Sequence, residues 1–534
     1  MRSLLQLSGL LGILTFTTAE YSAPRNANHI FNAIHASMRQ WGSSLHHNGM
    51  SFFLASVPEG TQFFHGTSES TPIIGTEWLA FEPEHAMVFA GRRGPPHRVP
   101  PPKNDDYDDD NDSPSHHEEL RRREPHHAES GERCISPEVE DAAEEDAGYL
   151  HTYAAAKDLR LLYIDGMSAG KTAKGTLDSQ DVLLFNGSLE DAPTKPGPGS
   201  GSEGERARLA CELAQDAWEG RIDGVLRMEA GFEIILCAFE RDLIPVRITQ
   251  VKSRSGEGDE GRHNPKHDDH SGPRADDDDK KRKGPGHGGP PGSVNWMRAI
   301  THRYQGIGGS RVSLNYDNFV TAFAYDVDLF PSKSTLPRLT GLSQSELDSI
   351  RQDVTGLVMS HEATEPSWNW QTTVDMLVTR YSNELSYYVS GKITSLEDLH
   401  AEIERLLAPF IDYGDRNTEL EVDRCTMHSM PLRANLSTLA ARAVLSVART
   451  TCGALFGVWE ETQDLKVAVE KTQALVDYLA WTTWKECRGC ADNEICVVPI
   501  WPLGSVEDYK HPQCKNASNP YDGEGESYWR GLHR

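Results

Sequence analysis

The sequence predicts an α+β domain in its first half and a mainly α-helical, disulfide-bonded domain in its second. Three observations predict this. Between residues 20 and 252, short strand-like runs alternate with helical patches. From about residue 294 onward, apolar residues recur at three- and four-residue steps over long stretches. Six of the nine cysteines (Cys425, Cys452, Cys487, Cys490, Cys496 and Cys514) fall near the C-terminus.

The 534 residues carry 53 Lys+Arg against 80 Asp+Glu, a net charge of −27. A chain so acidic has no general basic face for a nucleic-acid backbone. Nor does it suit adsorption to an anionic membrane. Expected partners are therefore an unknown protein or a small-molecule acceptor, with no nucleic acid and no membrane. Only 37% of residues are hydrophobic. Two stretches account for that low share, 92–147 and 253–293. They are rich in Pro, Gly, His and charge, and they predict disordered segments, an insertion and a linker, because they hold too little apolar surface to offset ordering entropy.

Residues 1–19 read as a secretory leader. Arg2 opens it, Leu4 to Phe16 is mostly apolar, and Thr17-Thr18-Ala19 offers a cleavage site. That run is too short to span a bilayer, and no later stretch is read as a span. Asn111, Asn186, Asn435 and Asn516 each open an N-x-S sequon. Secretion favours disulfides, so the six C-terminal cysteines predict up to three of them. Cys134, Cys211 and Cys237 complete an odd total, which leaves at least one thiol free or paired between chains.

The α+β domain should span 20–252. Asn28 to His46 predicts a helix, with Ile30, Phe31, Ile34, Met38, Trp41 and Leu45 on one face. Strands are expected at Ser51 to Val57, Thr61 to Phe64, Glu77 to Phe81, Gly148 to Ala154, Leu159 to Ile164, Asp181 to Phe185, Gly224 to Met228 and Glu233 to Phe239. Helices are expected at Pro83 to Ala90 and Glu205 to Trp218. The helical domain should span 294–534. Ser343-Gln344-Ser345-Glu346 is a capping box that opens a helix to about Met359. Further helices are expected at Trp370 to Val389, Ser395 to Phe410, Leu436 to Trp459 and Leu465 to Trp484, ahead of a cysteine-rich tail.

Few motifs carry chemistry. Asp165 to Thr172 follows a strand as a phosphate-binding loop would, but Asp165 stands where that loop needs its first glycine, so a plain turn is expected. His116, His117, His126, His127, His263, His267 and His270 lie in the low-complexity stretches, so no metal is expected. Asp277 to Lys283 passes from acidic to basic, and cleavage near Arg282 would separate the two halves.

One order of motifs stands out. A strand ends in His65-Gly66-Thr67, a second reads Glu77-Trp78-Leu79-Ala80-Phe81 before a short helix, and a late strand opens at Glu233. This order resembles the ADP-ribosyltransferase superfamily in its His-Gly-Thr … Glu form. The resemblance implies an ADP-ribosyltransferase-like fold and NAD as cofactor. Glu233 would be the catalytic carboxylate that stabilises an oxocarbenium-like state. His65 would hold a ribose, Gly66 the nicotinamide amide, and Trp78 or Phe81 would wall the ring. The tyrosine usual in the middle strand is missing, and Glu229 competes with Glu233. The chain as a whole also resembles uncharacterised secreted proteins of filamentous fungi, through Asn26 to His35, the Trp-Leu-Ala-Phe-Glu segment and Met228 to Glu233. Two functions follow as expectations. One is a secreted ADP-ribosyltransferase or NAD glycohydrolase-like enzyme. The other is a non-enzymatic secreted interaction protein, effector-like or cell-wall-binding, with an inactive cleft.

Overall fold

The computed structural model describes residues 22–90, 147–187, 202–251, 293–309, 311–331, 334–361, 367–462, 464–518, 520 and 527–529. The expected leader lies outside them, as do the insertion and the charged linker except for Ala147 and Ser293. Cys134, Asn111 and the histidine clusters also fall outside.

The fold is mixed α and β, with a large sheet built mainly from the first half and a helical, disulfide-linked second half. Nine strands form the sheet: β1 (Ser51–Val57), β2 (Gln62–Thr67), β3 (Glu77–Ala80), β4 (Gly148–Ala155), β5 (Leu159–Ile164), β6 (Gly224–Glu229), β7 (Gly231–Leu236), β8 (Leu243–Val251) and β9 (Ser313–Thr321). Their spatial order is β8-β4-β2-β3-β7-β6-β5-β1-β9. All neighbours run antiparallel except β5 and β6. The edge strand β9 comes from beyond the charged stretch and pairs with β1, so the sheet draws on both halves of the chain.

Most expected strands form at or near their expected places. Asp181 to Phe185 does not. It joins a π-helical turn at Asp178–Leu184, with Leu183 and Leu184 buried beneath it. β8 was not anticipated, because Pro245 interrupts its apolar alternation. A proline is tolerated there because β8 is the sheet's edge.

The predicted long first helix is broken. α1 (Ala27–Ala36) and α2 (Gln40–Leu45) are separated by Met38, which adopts φ 56°. Gly42 explains the fold-back, since a Cβ there would lie 2.7 Å from the Ala36 Cβ. The six apolar residues named for this face are all buried. After β3, α3 (Pro83–Met87) lies over the sheet, and α4 (Ser202–Glu212) precedes β6. A single turn, α5 (Phe239–Asp242), leads into β8, and α6 (Ser293–Arg303) precedes β9.

The helical part comprises α7 (Gln344–Met359), α8 (Trp370–Tyr388), α9 (Leu396–Leu407), α10 (Thr418–Met427), α11 (Leu439–Trp459) and α12 (Leu465–Leu479). The capping box at Ser343 forms as read, with Ser343 N donating to Glu346 Oε2 over 2.7 Å. α11 is the hub, packed by α8, α9, α10, α12 and the distant α1. Asn32 also ties α1 to the end of α12, donating to the Leu479 carbonyl over 2.9 Å. By length and composition α11 could cross a membrane, although no such span is expected from the sequence. In the fold it is a core helix, with Ala440, Val444, Val447, Leu455 and Phe456 buried. Four disulfides form: Cys211–Cys237, Cys425–Cys452, Cys487–Cys496 and Cys490–Cys514. The tail adds a short hairpin of β10 (Glu494–Val497) and β11 (Gln513–Asn516), with α13 (Val506–Lys510) between them.

The end of the chain returns to the core through His47. This residue is fully buried. Its Nε2 meets the Tyr528 hydroxyl at 2.7 Å and its Nδ1 meets Asn48 Oδ1 at 2.6 Å. Burial pushes His47 down to about 4, against the Asn48 hydrogen bond and with help from Lys174. A depressed histidine stabilises the fold above its unfolded value of 6.5, and that stability is lost as pH falls towards 4. The loss is on the order of 3 kcal/mol. His47→Gln can keep the Tyr528 contact without titrating, so its stability should fall less steeply over this window. Urea unfolding at a series of pH values checks this, and parallel curves for the two proteins would refute it.

Candidate functional site

The β6–β7 hairpin is buried along its whole length, yet it carries charge. Successive strand residues point to opposite faces, so Arg227 and Glu229 share one face of β6. Across the hairpin, Arg227 pairs with Glu233 and Glu229 with Gly231, which places all three charges on the same face. The turn needs Gly231, which adopts φ 100° and approaches α3 so closely that a Cβ would sit 2.9 Å from His85 Nδ1.

Other elements bring partners to this face. Arg227 Nε donates to Glu233 Oε1 over 2.8 Å and Nη1 to Gln180 Oε1 over 3.0 Å, while Nη2 pairs with Glu203 at the start of α4. Lys171 Nζ lies 2.9 Å from Glu229 Oε2 and 3.4 Å from Glu203 Oε2. Arg206 Nη2 lies 2.8 Å from Asp181 Oδ2, and its Nη1 lies 3.4 Å from Glu203. His85 covers the cluster from α3, stacked on Trp296 at 5.4 Å between ring centroids. Trp501 flanks Lys171, whose ammonium lies 5.0 Å from the ring centroid.

The electrostatics follow from burial and charge count. Burial raises Glu233, and Glu229 adds to the effect, so it reaches about 7 despite Arg227. Burial would raise Glu203 too, but Arg227, Lys171 and Arg206 outweigh it and hold that carboxyl at about 2. Burial lowers His85 to about 4, although Glu229 pulls the other way.

The sheet divides the predicted cofactor residues between its two faces. Ala80 of β3 pairs with Phe64 on one side and Glu233 on the other, so these three share a face. His65 follows Phe64 and therefore points to the opposite face, since a one-residue offset reverses the side chain. There its Nδ1 meets the Trp78 carbonyl at 2.8 Å, and its ring lies 5.8 Å from Phe239 and 6.1 Å from His151. Trp78 is half-buried and pairs with Ile235, which puts it on the Glu233 face. Phe81 packs edge-on against Phe63 at 5.2 Å. It also lines a separate open cleft of about 610 Å³ with Phe64, Glu82 and Arg311.

Gly66 is occupied by packing. A Cβ there would lie 1.9 Å from the Ala86 carbonyl oxygen, because α3 rests directly on β2. Gly66→Ala should therefore cost about 2–3 kcal/mol in urea unfolding through overpacking. A cost near zero would mean that α3 stands off and leaves room for a ligand amide.

The segment from Asp165 to Thr172 is a packed turn, as read. The Met167 amide donates to the His47 carbonyl and the Ala169 amide to the Met228 carbonyl, so neither faces a phosphate. Its lysine serves the carboxylate cluster instead. Sequence reasoning missed Lys171, Glu203, Arg206 and Arg227 as members of one site. A signal for part of it was present: charges at 227, 229 and 233 keep even spacing within an apolar strand pair.

Residues 23–281, which include the whole β1–β8 region and the cluster, match the family model described as YPL277C N-terminal domain. Two Saccharomyces cerevisiae proteins are similar over part of the chain. Uncharacterized protein YOR389W is 30% identical over 218 residues, covering 41% of this chain and 32% of that one. Uncharacterized protein YPL277C is 29% identical over 227 residues, covering 41% of each chain. The chain thus spans about a third to two fifths of the length of these relatives. The expected likeness to fungal proteins holds at that level. Neither the family description nor the relatives' names refer to ADP-ribosyl transfer. No solved structure matches.

Proposed function

We propose that this chain is a secreted, disulfide-braced interaction protein whose Glu233 cluster does not consume NAD⁺. One observation carries the reading. Glu233 is held against Arg227 beneath His85, while His65 lies on the opposite face of the sheet. A dinucleotide must touch both groups at once for the transferase chemistry to run. The four disulfides and the exposed sequon residues Asn186, Asn435 and Asn516 support passage through an oxidising, glycosylating compartment. The open cleft beside Phe64 and Phe81 offers a partner an aromatic surface, with Arg311 paired to Glu82 in its lining.

The test is nicotinamide release from NAD⁺ by purified protein, beside Glu233→Gln and Glu229→Gln. Release no faster than in a blank is expected for all three. Release by the unaltered chain that disappears only in Glu233→Gln would overturn the proposal and restore the transferase or glycohydrolase reading.

A further inference from the structure

We propose that His85, Glu229 and Glu233 form a binding site for one divalent cation of the zinc class, which would clip α3 to the β6–β7 hairpin. One ligand atom from each residue lies within 4.8 Å of the other two. Ligands about 2.1 Å from a tetrahedral zinc ion stand about 3.4 Å apart, so the three need only a small closing movement. One imidazole nitrogen and two carboxylates are an ordinary donor set for zinc or manganese.

Three further observations point to a ligand here. The first is His85 itself. It is 1% exposed, and its Nδ1 is buried without a hydrogen-bond partner. Leaving such an atom unsatisfied is costly, and a cation at the site would give the buried imidazole a ligand role. The second is charge. Lys171, Arg206 and Arg227 face Asp181, Glu203, Glu229 and Glu233, which leaves one carboxylate more than there are cations. A buried excess charge calls for a counter-ion or a proton. The third is which oxygens are already used. Lys171 takes Glu229 Oε2 and Arg227 takes Glu233 Oε1. Each of these pairs engages one oxygen of its carboxylate, so ligation through the other oxygen need not break either pair. Gly231, between the two glutamates, lets His85 come this close.

Among the described residues, the other close metal-ligand group, Cys487, Cys490 and Cys514, is spent on disulfides. The histidines of the low-complexity stretches could add weak zinc binding, so the test counts tight equivalents. Full-length protein with its disulfides intact is stripped with a chelator and titrated calorimetrically with zinc chloride. One tight equivalent is expected. His85→Gln and Glu229→Gln should each weaken it by roughly 100-fold or more while leaving the circular dichroism unchanged. If one variant fails to fold, the other decides. The absence of a tight equivalent in the unaltered chain, or its survival in a folded variant, would overturn the proposal and leave a proton as the occupant.

Discussion

Replacing Arg227 with methionine is expected to remove about 3–5 kcal/mol of folding stability near neutral pH. Arg227 is fully buried and is the guanidinium that bonds Glu233 directly. It also joins Glu203 and Gln180 to the sheet. Methionine can fill much of the volume, so the loss should come mainly from carboxylates left without their counter-charge. Glu203 keeps Lys171 and Arg206, whereas Glu233 loses the guanidinium it bonds and keeps only the longer-range pull of Lys171 among the described residues. Two consequences distinguish this from lost packing. The deficit should shrink in acid, because burial raises the Glu233 carboxyl and Arg227 holds it down, so without Arg227 it is raised further and its stability, present when protonated, is lost as pH climbs. Adding Glu233→Gln to Arg227→Met should recover a large part of the loss, since it removes the stranded charge. Equal deficits in acid and at neutral pH, with no recovery in the double variant, would sink the electrostatic account.

Much of the sheet was legible because its strands are short, apolar and bounded by turn residues. β1 and β5 were placed to the residue. The misread elements have physical causes. Asp181 to Phe185 has strand-like composition, but a helical turn can bury the same leucines, and short apolar runs do not separate the two. The first helix kept a perfect apolar stripe through Met38, and the stripe survived while the backbone did not. Burial was set by periodicity, whereas the break was set by the close approach of Gly42 to Ala36. The candidate site was half legible. Glu233 and Glu229 were singled out, and both lie in the cluster. His65 turns to the face opposite Glu233 through register, which sequence order does not encode. Neighbouring strands can carry two motif residues in the right order and still turn them to opposite faces. Lys171, Glu203 and Arg206 come from loops and helix ends far away in sequence, so only the tertiary fold assembles them.

Replacing both Cys425 and Cys452 with serine is expected to cost about 3 kcal/mol in urea unfolding under oxidising conditions. The bond closes a loop of sequence separation 27, for which the chain-entropy account gives about 3.5 kcal/mol. The Cys487–Cys496 bond, with a separation of 9, gives about 2.6 kcal/mol by the same account and should matter less. Position sharpens the contrast. Both Cys425 and Cys452 are buried, and the bond joins α10 to the hub helix α11 beneath the Tyr381 hydroxyl. α10 follows the exposed stretch from Asp412 to Asn417 and has few apolar residues of its own, so it depends on this tether more than its neighbours do. The double variant should therefore lose protection from hydrogen exchange first in α10, with the nine-stranded sheet protected as before. A loss below about 1 kcal/mol would mean that packing alone docks α10. A large loss would make the helical half dependent on an oxidising compartment, which is what secretion would supply.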